Sequence, residues 1–101
     1  MAMVRACSYV AEIETPAAPS EYSAIQVTVK QGNVEINKEL SDLTLTEDSV
    51  MVKLSQTDTA QFTCGENAYL QIRCYKSEYD APGSEVWIIP VRPALNDEVL
   101  P

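Results

Sequence analysis

The chain has 101 residues, a formal net charge of −8 at pH 7 and no histidine. Nucleic acids and anionic membranes are bound by clustered Lys and Arg, and the seven basic residues here are scattered, so neither partner is expected. The missing histidines remove the commonest metal ligand and the commonest acid–base group at neutral pH, so we expect no cofactor and no enzymatic activity.

Targeting segments and cysteine content indicate the compartment in which the protein folds. No apolar run approaches the ~18 residues of a membrane helix. The first residues, MAMVRACSYVAEIE, lack the apolar core of a signal peptide, so synthesis and folding in a cytoplasm are expected. Three cysteines are an odd number, and in a reducing compartment they predict buried free thiols, at Cys7, Cys64 and Cys74.

Apolar and polar residues alternate along most of the chain, which is typical of strands that bury one face. The alternation predicts about seven short strands, at residues 7–14, 22–30, 34–39, 43–45, 50–55, 68–75 and 85–91. The stretch TPAAPS, at 15–20, ends the first strand because proline removes N–H donors and fixes φ. The stretch KQGN, at 30–33, predicts a tight hairpin with glycine at positive φ.

The alternation stops over residues 55–62. Ser55, followed three residues later by Asp58, predicts a short helical turn that crosses between two sheets, with Phe62 as an aromatic plug in the core. The stretch D-T-A-Q-F-T-C resembles the immunoglobulin D-T-A-x-Y-x-C segment, but Phe62 lacks the hydroxyl of the tyrosine corner. No Trp follows Cys7 at the usual short distance, so the likeness indicates a similar crossing turn rather than a true immunoglobulin domain.

The last two predicted strands form a hairpin around DAPG, at residues 80–83. The unbroken apolar run V-W-I-I, at 86–89, predicts a strand that is either covered on both faces or meets a partner with one face. Pro90 predicts an edge or a bulge at the end of that strand. The tail, at 92–101, has apolar residues spaced for a short docked turn, namely Leu95, Val99 and Leu100.

These elements predict an all-β fold, specifically an immunoglobulin-like antiparallel β-sandwich of about seven strands with one short helical crossing turn. A small closed barrel is the alternative. We expect a single domain over 1–101, in which 1–22 supply the N-terminal strand and a proline-rich connection and 92–101 supply the docked tail.

Few residues indicate a catalytic or metal-binding site. Without a histidine, and with Cys74 on the inward phase of a strand, no catalytic nucleophile is expected. Carboxylates cluster in turns, but they match no EF-hand spacing and are expected to be solvated rather than to bind calcium; they are Asp42, Glu47, Asp48, Glu78, Asp80, Asp97 and Glu98.

The strongest functional indication is a set of aromatic and basic residues. Tyr69, Arg73 and Tyr75 share the outward phase of one strand, and Trp87 is the single tryptophan. Tyr, Arg and Trp are enriched at interface hot spots, so these four residues form the predicted protein-binding site, with a merely half-covered sheet face as the alternative.

Five stretches carry a broader resemblance: the strand and turn at 27–32, S-D-L-T at 41–44, the segment 50–62, L-Q-I-R at 70–73, and the strand and tail at 91–100. In this order they resemble a group of small β-sandwich proteins encoded by tailed phages and prophages of gut Firmicutes. The likeness spans about three-quarters of the chain and leaves out the N-terminal part.

The resemblance implies a non-enzymatic virion structural protein that is made in the bacterial host cytoplasm. Such a protein could decorate the capsid, join head and tail, or belong to the baseplate. Its expected partners are other virion proteins and further copies of itself, and the family supplies no catalytic residues. Two other functions remain open: a soluble phage-encoded adaptor or inhibitor that binds a host protein, and a carbohydrate-binding module.

Overall fold

The computed structural model describes residues 2–84 and 86–95. Within these residues the chain forms eight strands: β1 (Met3–Val4), β2 (Tyr9–Glu14), β3 (Ala24–Gln31), β4 (Val34–Glu39), β5 (Thr44–Leu45), β6 (Ser49–Leu54), β7 (Asn67–Tyr75) and β8 (Trp87–Arg92). Helical structure in this described part of the chain is limited to one short α-helix, α1 (Gln56–Thr59), and two 3₁₀ turns at Pro19–Glu21 and Leu40–Asp42.

The strands form two sheets whose apolar sides face one core. The larger sheet has the order β1-β8-β7-β3-β4, and the smaller has the order β2-β6-β5. This arrangement confirms the predicted all-β, sandwich-like fold. Most neighbours are antiparallel, but β1 pairs in parallel with β8 and sets Met3 opposite Val91. The sequence did not predict β1, because two residues are too few to show alternation.

The alternation correctly predicts which side chains turn inward. Val27 and Val29 of β3 are fully buried, whereas Gln26, Thr28 and Lys30 lie on the other face. The same rule holds in the smaller sheet, where Ala11 and Ile13 of β2 face Val52 and Val50 of β6 across the strand pair. At the β3–β4 hairpin, Gly32 has φ +56°, as the tight turn requires. Sequence spacing therefore determines both faces of the strands in which apolar and polar residues alternate.

The segment between β6 and β7 crosses from the smaller sheet to the larger, as predicted. Its helical turn begins with a capping box, in which the Asp58 amide donates to Ser55 Oγ at 3.1 Å and the Ser55 amide donates to Asp58 Oδ2 at 2.9 Å. Thr59 Oγ1 donates to the carbonyl of Cys7 at 2.8 Å, which ties the turn to the N-terminal segment. Phe62 is only 1% exposed and plugs the core.

A buried glutamine holds the end of this crossing. Gln31 lies on the inward side of β3, and its Nε2 donates to the Thr63 carbonyl at 3.0 Å. The Thr63 amide donates back to Gln31 Oε1 at 2.6 Å. These bonds satisfy backbone groups that the crossing would otherwise leave unpaired near the core. The sequence offered no sign of them, because the partners are 32 positions apart.

Several expectations are corrected. All three cysteines are free, but Cys7 is exposed and Cys64 is half-buried, so only Cys74 is the buried thiol that was predicted. Cys7 lies outside the strand because β2 begins at Tyr9. The predicted docking of the tail is wrong at Leu95, which is fully exposed. Val99 and Leu100 lie outside the described residues, as does residue 85 of the last predicted strand.

Candidate interaction surfaces

The outer face of the larger sheet carries three of the four predicted interface residues. Tyr69, Arg73 and Tyr75 all point outward from β7, and the two tyrosines are 45% and 47% exposed. The register sets Tyr69 between Lys30 of β3 and Ile88 of β8. The predicted outward phase of β7 is therefore correct, and these side chains share one face of one strand.

On the β3–β4 half of this outer face, polar side chains pair with each other. Thr28 Oγ1 donates to Asn37 Oδ1 at 2.7 Å, and Gln26 Nε2 donates to Glu39 Oε1 at 3.2 Å. Each pair joins residues that the strand register places directly opposite each other. Cross-strand pairs of this kind stabilise the sheet and leave few polar groups for a partner.

On the β7–β8 half, exposed aromatic and apolar side chains share the outer face with polar ones, among them Gln71 and Arg73 of β7. Ile88 is 60% exposed and lies directly opposite Tyr69. Tyr75 lies on the same face six residues farther along β7, roughly 20 Å away, with Gln71 and Arg73 between the two tyrosines. We call Tyr69, Tyr75 and Ile88 the outer aromatic patch. Ile88 was not among the predicted site residues, although the unbroken apolar run at 86–89 contained the signal. Since Ile88 is exposed, β8 is not covered on both faces within the described chain.

Trp87 lies on the opposite side of the sheet from the outer aromatic patch. It pairs with Leu70, whose side chain is buried in the core, so Trp87 has the inward phase. It nevertheless remains 36% exposed, because it lines the mouth of a groove rather than the closed core. The structure thus divides the four predicted residues between two surfaces.

The groove lies between the free side of β2 and the start of β8. Two adjoining cavities of about 300 and 330 Å³ share Glu14 and Trp87. Leu70 and Ile89 line the first cavity, and Cys74 lines the second. Burial raises the pKa of the Cys74 thiol, so the thiol stays protonated near neutral pH and is not an activated nucleophile. The groove is therefore suited to apolar contact.

The described residues also bear on metal binding and membrane insertion. Within residues 2–84 and 86–95, no three or more Cys, Asp or Glu side chains come close enough together to hold a metal ion. Two of the turn carboxylates, Asp97 and Glu98, lie outside these residues. None of the helices described is long and apolar enough to cross a bilayer.

Comparison with known proteins adds no residue assignments. No protein-family model matches the chain, and the search of curated proteins gives no match. The candidate surfaces therefore rest on geometry and exposure alone.

Proposed function

We propose that this protein is a non-enzymatic structural component of a tailed-phage virion that works through protein–protein contacts. The observation that carries the proposal is the outer aromatic patch, which leaves Tyr69, Tyr75 and Ile88 exposed on a sheet face whose β3–β4 half is occupied by hydrogen-bonded polar pairs. Exposed aromatic and apolar side chains grouped on a rigid sheet are typical of binding surfaces.

The composition of the patch favours a protein as the partner. A tyrosine offers a large contact area and loses little conformational freedom when it is buried, and Arg73 lies between the two tyrosines on β7. The chain carries a net charge of −8, so a neutral or basic partner surface is favoured at the rim of the contact. These properties suit a module that attaches to a larger assembly.

The assignment to a virion is supported by the resemblance to small phage proteins described above. The two other functions, a host-protein adaptor or inhibitor and a carbohydrate-binding module, are compatible with the same fold, so the fold alone does not choose among the three. We propose that the chain joins or decorates parts of the particle, with other virion proteins or its own copies as partners, after synthesis in the host cytoplasm.

The test is mass spectrometry of virions purified from a prophage that encodes this chain. We expect the wild-type chain in the particles at a fixed ratio to a major structural protein. A Tyr69→Ala, Ile88→Ser double variant should fold, because both side chains are exposed, but should be depleted from particles at least tenfold. The matched control is Thr28→Ala, which alters the polar half of the same face.

Each outcome of this test supports or refutes a specific part of the proposal. Particles that lack the wild-type chain would refute the virion role, and capture of a host protein by the purified chain would then favour the adaptor function. Particles that retain the double variant as well as the control would refute the outer aromatic patch as the contact. Loss of the melting transition in the Tyr69→Ala single variant would show that Tyr69 is needed for folding.

A further inference from the structure

A second surface is formed where the two sheets do not meet. Residues 11–14 of β2 form one side of the groove, and Leu70, Trp87 and Ile89 form the other. The first cavity alone, at about 300 Å³, is about ten times the ~30 Å³ that a water molecule occupies in the liquid. Its lining is apolar, and Trp87 is partly exposed to solvent there.

The strand that borders this groove has an unpaired edge within the described chain. There, β2 is the outermost strand of its sheet and pairs only with β6. The Thr15 amide donates to the Asp48 carbonyl at 3.1 Å, which identifies the residues of β2 that bond to β6. By the alternation of an antiparallel ladder, the N–H and C=O groups of Val10, Glu12 and Glu14 then point away from β6. These groups can accept another strand.

The charge on this edge restricts what that strand can be. Glu12 and Glu14 are exposed on the outer side of β2, where they would lie beside alternate residues of an added strand. Glu12 Oε1 accepts a hydrogen bond from Ser49 Oγ at 2.8 Å, and the charge of the carboxylate remains at the edge. Opposite charges placed across a strand pair stabilise it, and like charges destabilise it. A second copy paired with β2 about Glu12 would set two Glu12 side chains against each other, between proteins that each carry a charge of −8.

We propose that β2 and the groove bind an extended segment of a partner protein as an added strand, with apolar residues alternating with Lys or Arg. The apolar side chains would enter the groove against Trp87, and the basic ones would lie beside Glu12 and Glu14. Main-chain hydrogen bonds supply the affinity in this mode of binding, and alternate side chains supply the specificity. This site lies on the other side of the larger sheet from the outer aromatic patch and does not depend on it.

Trp87 is the only tryptophan, so its fluorescence reports directly on the groove. The probe is a capped six-residue peptide of alternating lysine and valine, titrated into the full chain. We expect a saturable blue shift of Trp87 emission with this peptide and none with the matched peptide of alternating glutamate and valine. Absence of a shift with the basic peptide at millimolar concentration would overturn the proposal, as would equal binding of the acidic one.

Backbone methylation separates strand addition from simple filling of an apolar groove. In an antiparallel addition the lysine amides of the probe face β2, so methylating them should abolish binding, while methylated valine amides should be tolerated. In a parallel addition the valine amides face β2 instead, so methylating the valine amides should abolish binding and methylated lysine amides should be tolerated. Binding that survives both methylations would overturn the proposal, because no ladder could then have formed.

Charge variants test the role of the edge glutamates. In a Glu12→Lys, Glu14→Lys chain the basic peptide should bind about tenfold more weakly, and the acidic peptide should gain affinity. If that double variant unfolds at a much lower temperature than the wild-type protein, the Glu14→Gln variant should show a smaller loss of affinity for the basic peptide. The control, Tyr69→Ala, should leave peptide binding unchanged. Unaltered affinity in the folded charge variants, or self-association that blocks the peptide in sedimentation, would refute a basic partner strand.

Discussion

The two flanks of the sandwich are built differently. On one flank, Lys38 of β4 reaches from the larger sheet to the turn after the smaller one, and its Nζ donates to Asp58 Oδ2 at 3.1 Å. Leu40 and Leu43, in the connection from β4 to β5, pack against the core on that side. On the other flank, β2 and Trp87 face each other across an open groove.

The difference follows from the unequal number of strands. A layer of three strands cannot cover a layer of five, so part of the larger sheet stays uncovered on its inner side. The short connection after β4 closes one flank, whereas on the other flank the sheets are linked at the two ends of β2, by residues 5–8 and 15–23. A short chain thus concentrates its stabilising contacts on one side and leaves contact surface on the other.

The largest expected effect comes from removing the Phe62 ring from the core between the two sheets. Phe62→Ala should lower the free energy of unfolding by about 3–5 kcal/mol, because a fully buried ring leaves a cavity. Urea denaturation followed by circular dichroism measures this loss, with Phe62→Leu as the milder control. A loss below about 1 kcal/mol would mean that the ring is not a central part of the core.

Two alanine-to-valine substitutions compare the stability cost of a larger side chain in the closed core with its cost at the open flank. Ala68→Val, at a fully buried position outside the groove lining, should cost about 1–3 kcal/mol through overpacking. Ala11→Val, at the wall of the groove, should be neutral or stabilise by up to about 1 kcal/mol, because space is available there. Thermal melts of the two variants give the comparison. Equal losses at both positions would show that the groove is not open.

The smallest expected effect concerns the acid stability of the closed flank. Burial would raise the pKa of the Asp58 carboxyl, but hydrogen bonds from the Ser55 amide and Lys38, with the charge of Lys38, outweigh it and hold that pKa below its usual 3.8. A carboxyl whose pKa is lowered by folding stabilises the protein above the unfolded pKa. That contribution is lost as the pH falls through the folded pKa.

Asp58→Asn should therefore cost about 1 kcal/mol at pH 7 and flatten the decline in stability between about pH 5 and pH 2. Denaturation at a series of pH values measures both effects. Lys38→Met keeps the Ser55 contact and should give an intermediate profile. An acid profile of Asp58→Asn that is parallel to the wild-type profile would show that this carboxyl does not contribute to acid sensitivity.

The site could be predicted from the sequence only in part. Period-two spacing identified the outward phase of Tyr69, Arg73 and Tyr75, because alternation is a local property of a strand. It could not separate Trp87 from them, since the run at 86–89 is apolar at every position and reveals no phase. Only pairing with Leu70 decides that Trp87 turns inward and that Ile88 joins the outer aromatic patch.

By itself the sequence determined the all-β class, the faces of the strands that show alternation, the Gly32 hairpin and the crossing turn with its Phe62 plug. Each of these depends on residues within a few positions of one another, where alternation, φ preference and capping act. The tertiary structure alone decided the parallel pairing of β1 with β8, the Gln31 bonds to the crossing segment and the open groove beside β2. These features join residues that are distant in the chain, and they depend on how two sheets of unequal width come to lie on one another.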